Sequence, residues 1–387
     1  MFKHNFLCLF IVCLFVACGT PQKQETAIDT AGLRTVRIDK HTPSLPFDSI
    51  VGRAWYIKLE TDKQSLIGQP MQLLFTDSLV IVIDKLYAPR AVGFGLDGSY
   101  RCTYGIFGKG PGEYSELSWA ALTPDREQLV IADYAAARYH YYRLDGTFDH
   151  SCDLFWRGCS FEFLTPDTIA TSNFGNVYLN GKGEQDGTLV LSDLKSESGA
   201  QLFPYLFTQG MMPVNPTGGI RKYNDTVYYI PSLADTVYRV SPTALEAVYA
   251  IDIEGTKRPG YDATVQEYMD FMSKTPYFNG NFVETDSYAA FGLAPYSPYP
   301  VLYDKATGKS YRIEAPKQEG LCSFFRDGYV LSGTGTNTLV AEMSAAEILD
   351  KAGSMEKPLP PEVEALIDGL EENDNPVIFL YDIVLPE

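Results

Sequence analysis

The chain is poor in histidine and tryptophan and has no basic excess. Four His and three Trp in 387 residues leave few side chains that titrate near neutrality or bind zinc. Against 49 acids stand 31 Lys and Arg, a formal net charge of −18. That balance excludes a duplex nucleic-acid partner, because nothing is in surplus to neutralise phosphates. Seven cysteines show no metal-type Cys-x-x-Cys spacing,. The one long apolar run, Phe6 to Ala17, has twelve residues, about 18 Å as a helix and too short for a membrane span. H-E-x-x-H, G-x-S-x-G and an EF-hand-type Asp run are all missing, and with them the usual signatures of zinc peptidases, serine hydrolases and calcium loops.

Aromatic and turn-forming residues are plentiful: 26 Tyr and 22 Phe among 32 Gly and 24 Pro. With 45% hydrophobic residues the chain is not disordered as a whole. This mixture favours short aromatic strands joined by turns, and all-β chains of this length often form one domain.

The N-terminus gives an address. Lys3, the apolar run and a small residue before a break describe a secretory signal. Leu14-Phe15-Val16-Ala17-Cys18 resembles a bacterial lipobox, with Phe15 where Leu is usual, and the resemblance makes Cys18 the lipidated mature N-terminus. Acyl chains, at about 0.8 kcal/mol per buried methylene, hold a protein on a bilayer without a membrane-spanning helix. The expected organisation is a lipoprotein signal peptide over 1–17, a polar lipidated tether over 18–33, and a single domain over 34–387. Cleavage removes Lys3 and no acid, so the mature chain is slightly more acidic than −18. It leaves Cys102, Cys152, Cys159 and Cys322, whose pairing the spacing does not fix; a chain of this size needs no disulfide to fold.

The body repeats in pattern more than in letters. Leu96-Asp97-Gly98-Ser99-Tyr100 recurs as Leu144-Asp145-Gly146-Thr147-Phe148, 48 residues later. Before them lie the strand candidates Leu79–Asp84 and Leu129–Asp133, bounded by hairpin signals. Looser units follow at Asp167–Ile169, Asn224–Ile251, Ser287–Ile313 and Gly328–Ala341. A 48-residue period with several strands per unit is that of a β-propeller blade. Roughly 294 residues from Ile50 to Met343 make about six blades, with seven as the alternative. Helical spacing at Tyr261–Ser273 predicts a small inserted helix, and Ala345–Leu349 and Pro361–Leu370 read as helices near the C-terminus. Ring closure needs a further strand, from either Asn375–Ile383 or Arg34–Ile38, since an open edge invites aggregation.

Two glycine-rich stretches mimic ligand loops. Gly93-x-Gly95-x-x-Gly98 matches the dinucleotide pattern but runs into a strand instead of a helix, so the match is accidental. Gly108-Lys109-Gly110-Pro111-Gly112-Glu113-Tyr114 is no P-loop, since Gly follows Lys109; it reads as a shaped connection between blades, with Glu113 holding amides. This loop, with Trp55–Thr61 and Leu66-Ile67-Gly68 before it and Asp374-Asn375-Pro376-Val377 near the end, resembles the bacterial six-bladed β-propeller lipoprotein family over about Val36–Tyr381. The resemblance implies the fold and a place in the cell envelope, on the outer membrane, and supplies no catalytic residue.

Candidate chemistry is sparse. None of His41, His140 and His150 lies beside a nucleophile motif, and His140, in Arg138–Arg143, reads as a strand residue. Asp62, Asp84 and Asp133 sit where they cap turn amides. Asp-Ser/Thr-aliphatic triplets begin at Asp29, Asp48, Asp77, Asp167, Asp225 and Asp235 and resemble an O-glycosylation pattern of Gram-negative envelope proteins; Asp29-Thr30-Ala31 is the best of them. No catalytic residue, cofactor or assignable metal ligand emerges. The expectation is a lipid-anchored protein that binds a glycan, peptide or envelope protein. The alternatives are a hydrolase or lyase with a central metal, and a structural accessory of an outer-membrane complex. The tract Pro295–Pro300, rich in Tyr, suits either sugar stacking or core packing.

Overall fold

The computed structural model describes residues 28–156, 158–172, 189–196, 199–203, 219–231, 233–260, 262–295, 297–326, 332–334 and 336–386. Six units of four antiparallel strands stand as blades around one axis, and parallel strands from the N-terminal segment extend two of these sheets. Blade 1 comprises Pro70–Phe75, Leu79–Asp84, Arg90–Gly95 and Tyr100–Thr103. Blade 2 comprises Trp119–Leu122, Gln128–Asp133, Arg138–Arg143 and Phe148–Asp153. Blade 3 uses Ser160–Thr165, Thr168–Ser172, Leu189–Asp193 and Gly199–Phe203. Blade 4 uses Gly219–Tyr223, Thr226–Ile230, Thr236–Val240 and Leu245–Ile253. Blade 5 uses Tyr277–Glu284, Tyr288–Ala294, Val301–Asp304 and Ser310–Glu314. In each blade the first strand is innermost, and first strands of successive blades touch. The fold is a six-bladed β-propeller, and the seven-blade alternative falls.

Blade 6 closes the ring. Ser332–Gly333, Thr338–Met343 and Val377–Ile383 come from the C-terminal part, and Val51–Lys58 adds the outermost strand. Of the two closing strands weighed from sequence, the C-terminal one completes the blade. Arg34–Ile38 instead lies parallel to the outer strand of blade 4, from Arg34 beside Tyr249 to Ile38 beside Ile253. Ser44–Pro46 does the same on blade 5. The segment before the ring therefore runs as a belt over blades 4 and 5 into blade 6. Ile28–Asp29, inside the stretch expected to be tether, already pairs with Leu245–Glu246.

Sandwiching explains the apolar strands. Leu79–Asp84 is buried on both faces, so it reads as a continuous run and not an alternating one. Val80 and Val82 pack toward Ile57, Val340 and Ile378 of blade 6. Leu79, Ile81 and Ile83 pack toward Ala120, Leu129 and Ile131 of blade 2.

The repeated glycines have one job. Gly98 and Gly146 have φ of +84° and +86°, the left-handed region in which other residues are strained. A Cβ on Gly98 would collide with the Lys58 carbonyl oxygen of blade 6, and one on Gly146 would meet Cys102 and Thr103 of blade 1. Each hairpin presses on the outer strand of the preceding blade.

Among the described residues, three α-helices, α1 (Val265–Lys274), α2 (Ala345–Ser354) and α3 (Pro361–Ile367), interrupt the strands. Reciprocal capping boxes start the first two, Thr264 with Glu267 and Ser344 with Glu347,. None is long and apolar enough to cross a membrane.

Candidate functional site

Inner strands of a propeller converge on the axis, so whatever their ends expose is shared between blades. A cavity of about 90 Å³, open to solvent, lies there. Leu73, Leu74 and Phe75 of blade 1 and Leu122 of blade 2 form its apolar wall. Thr123, Arg126, Asn224, Asp225 and Thr334, at or beside the first hairpins of blades 2, 4 and 6, line the rest with Tyr223, Lys222 and Glu162. Five of the six blades contribute.

Cross-blade hydrogen bonds hold the inner ring rigid. Gln72 exchanges two bonds with the Ala120 backbone, at 3.0 and 3.1 Å. Arg126 Nη2 donates to the Phe75 carbonyl at 2.6 Å. Ile220 N–H donates to Ser160 Oγ at 3.3 Å, and the Tyr223 hydroxyl donates to the Phe282 carbonyl. Arg126 and Asn224 both have positive φ, 61° and 51°. Asn tolerates this region, whereas for Arg it costs about 1 kcal/mol or more. Two hairpins thus hold uncommon backbone where their side chains meet the cavity.

Glu162 stands out electrostatically. It is 7% exposed, on the inner strand of blade 3 between the buried Phe161 and Phe163. Among the described residues, no group donates a hydrogen bond to its carboxylate or pairs with it. Burial pushes its pKa up to about 7, with Lys222 and Arg221 pulling it back. Arg221 is buried as well, and burial lowers its pKa while Tyr223 and Glu162 raise it. Lys222 Nζ lies 3.4 Å from the Phe163 carbonyl, which brings the ammonium alongside the blade carrying Glu162.

Apart from Asp225, which lines the cavity, the residues singled out in the sequence lie elsewhere. Cys18 is outside the described residues. Gly108–Tyr114 links blades 1 and 2: Glu113–Tyr114 pairs parallel with Ile106–Phe107, and Gly110 N–H donates to Glu113 Oε2 at 2.7 Å. The Tyr142 hydroxyl donates to the Gly112 carbonyl at 3.3 Å, and Lys109 is exposed. His140 is buried in blade 2, with Nδ1 2.8 Å from Ser151 Oγ and Nε2 3.8 Å from Asp133; burial lowers its pKa. Asp133 accepts from the Ser115 and Ala136 amides. Asp62 accepts from Gln64 and Ser65, and Asp84 from Gly68, Gln69, Leu86, Tyr87 and Ala88. Tyr299 stacks on Phe325 in the core. Cys102, Cys152, Cys159 and Cys322 are unbridged. Among the described residues, no cluster of three or more His, Cys, Asp or Glu is arranged for a metal.

Sequence reasoning missed Glu162, Lys222, Arg126 and Asn224. Two signals were present: a carboxylate between two phenylalanines in Ser160-Phe-Glu-Phe, and Arg221-Lys222 inside a strand otherwise fit for a core.

Comparison places these features in a wider group. The family described as "Domain of unknown function (DUF4934)" matches residues 33–382. The fold is similar to a protein of Bacteroides fragilis described as exported, at 18% identity and TM-score 0.73, covering 91% of this chain and 100% of that one. It is also similar to a DUF4221-family member from Bacteroides vulgatus, at 11% identity and TM-score 0.51, covering 86% and 97%. At these identities the likeness shows the fold alone. No curated relative matches the sequence.

Proposed function

The chain belongs to the DUF4934 family, and from that premise we propose that it is an exported, lipid-anchored propeller that binds a ligand in its central cavity. One observation carries this reading: five blades converge on a cavity of about 90 Å³ into which Glu162 points a carboxylate that receives no hydrogen bond among the described residues. The carboxylate has no protein donor and opens onto the cavity, so a ligand donor there takes the place of water,. The described structural relative of Bacteroides fragilis supports export, and the lipobox-like segment ending at Cys18 supports an anchor at the cell envelope, with the outer membrane as its place. The ligand is a glycan, a peptide or part of an envelope protein.

The test is a thermal-shift screen of the Gly19–Glu387 chain against oligosaccharides, peptides and divalent metals, repeated with Thr334→Trp to fill the mouth of the cavity. Binding predicts stabilisation by a ligand that the variant no longer feels, with chelators without effect. Intact mass from the native host reads acylation at Cys18 and glycosylation at the exposed Thr30.

A hydrolase or lyase reading draws on the same residue. A carboxyl titrating near neutrality is suited to general acid catalysis, with Asp225 as the second cavity carboxylate. It requires turnover of a bound saccharide, which Glu162→Gln would abolish.

A further inference from the structure

We propose that the cavity is built for a neutral, hydroxyl-rich residue, a sugar unit, and that Glu162 and Lys222 are the pair that reads its hydroxyls. The inference rests on the binding role proposed above and names the ligand class of that same site.

The balance of charge carries it. Glu162 faces Arg221 and Lys222 from the neighbouring inner strand, and Arg126 and Asp225 add one charge of each sign to the lining. An anionic ligand would meet Glu162 and Asp225; a cationic one would meet Arg126 and Lys222. A hydroxyl both donates and accepts, so it satisfies a carboxylate and an ammonium from one position. Thr123 and Thr334 add hydroxyls of their own, while Leu73, Leu74, Phe75 and Leu122 offer an apolar wall suited to the C–H face of a sugar ring.

Protonation separates this from the zwitterionic end of a peptide. With its pKa pushed up to about 7 by burial, Glu162 is a weak counter-ion for an ammonium group near neutral pH. A hydroxyl is bound by the carboxylate as acceptor and by the protonated acid as donor. Glu162 is more than nine-tenths buried and lines the cavity, so its missing donor belongs to whatever occupies that space.

Isothermal titration of the Gly19–Glu387 chain tests this with cellohexaose, xylohexaose and mannohexaose as neutral probes, and hexagalacturonate and tetra-alanine as charged ones. The expected result is saturable binding of at least one neutral probe and of neither charged one. Glu162→Gln and Lys222→Met should each weaken that binding about tenfold or more, as expected for a hydrogen bond to a charged group. Lys109→Ala, on the connection between blades 1 and 2, should leave it unchanged. Far-UV spectra and unfolding midpoints of the variants show whether the fold is kept. Charged-probe binding that Thr334→Trp abolishes overturns the sugar inference and leaves the binding role standing. Neutral-probe binding indifferent to Glu162→Gln and Lys222→Met overturns the assignment of the pair. No binding by any probe means that water alone fills the cavity, and overturns both readings.

Discussion

Asn375 and Ile67 are 308 residues apart in sequence and joined by a hydrogen bond of 2.7 Å, Ile67 N–H donating to Asn375 Oδ1. The same side chain donates through Nδ2 to the Glu60 carbonyl at 2.8 Å and the Ser65 carbonyl at 2.9 Å. Its own N–H donates to Thr61 Oγ1 at 2.8 Å. One amide at the start of the last strand therefore holds the connection from the closing strand of blade 6 to blade 1.

Replacing Asn375 tests how much of the ring's closure depends on that clasp. The residue is 1% exposed, so Asn375→Ala leaves the Ile67 N–H and the Ser65 carbonyl without this partner and little water to replace it, while the Glu60 carbonyl keeps the Ser65 hydroxyl at 2.7 Å. Each orphaned group costs about 1–3 kcal/mol, and partial relaxation brings the expected loss to about 3 kcal/mol. Urea unfolding measures it. A loss below about 1 kcal/mol would show that the connection holds its shape without the amide.

Gly98 and Gly255 make a matched pair for the hairpin contact between blades. Both have positive φ, +84° and +76°. A Cβ on Gly98 would collide with the Lys58 carbonyl, while nothing lies within 4 Å of one on Gly255. Gly255→Ala should cost only the backbone term, about 1 kcal/mol. Gly98→Ala should cost clearly more, since the Lys58 strand has to move away. Equal midpoint shifts for the two variants in thermal unfolding would refute the close-approach account of the repeat.

The legible and illegible parts of the sequence divide along these contacts. The Asp-Gly hairpins and the apolar runs at Leu79–Asp84 and Leu129–Asp133 announced blades because their signals are local. Glu60-Thr61, Ile67 and Asn375 appeared as separate motifs; only the closed ring shows that they are one clasp. Arg34–Ile38 reads as a strand, yet nothing local says that it pairs parallel with blade 4 outside the ring. The cavity was the least legible feature. Glu162, Arg126, Lys222 and Asn224 come from three blades with no fixed spacing, and their convergence depends on the number of blades. The conspicuous Gly108–Tyr114 loop is conspicuous because its backbone is shaped locally, and it lies away from the cavity.

The pH dependence of stability provides a reading of Glu162 that needs no ligand. Its folded pKa of about 7 stands above the ordinary 4.5, so the folded chain prefers the protonated acid. The stability this residue permits is fully present below about pH 4.5, declines as pH rises toward 7, and is lost above it. The difference amounts to about 3 kcal/mol. The groups facing it, Arg221 and Lys222 of blade 4, both favour the ionised form and oppose the larger effect of burial. Glu162→Gln is neutral at every pH. It should match wild type within about 1 kcal/mol at pH 4.5 and be more stable at pH 8, by up to about 3 kcal/mol. Urea midpoints of both proteins at the two pH values decide the matter, and a pH-independent difference would place Glu162 in a wetter site than its burial implies.

The N-terminal belt is the last element whose contribution can be isolated, because it lies outside the four-stranded blades. Ile38 is 1% exposed and packs with Val36 into the largest core cluster, and the Glu254 N–H donates to its carbonyl at 2.9 Å. Arg34 Nη1 donates to the Tyr249 hydroxyl at 3.4 Å, and that hydroxyl donates to Glu284 Oε1 at 3.2 Å; Glu284 in turn pairs with Lys305. Two different forces therefore fasten one strand, apolar burial at Ile38 and a polar relay at Arg34. Ile38→Ala should cost about 2–4 kcal/mol by opening a cavity, whereas Arg34→Ala, at an exposed position, should cost about 1 kcal/mol or less. If the belt is fastened mainly by burial, limited proteolysis should cut the segment before Phe47 faster in Ile38→Ala than in Arg34→Ala. The reverse order would mean that the relay through Tyr249 and Glu284, and not the buried face, holds the strand to blade 4.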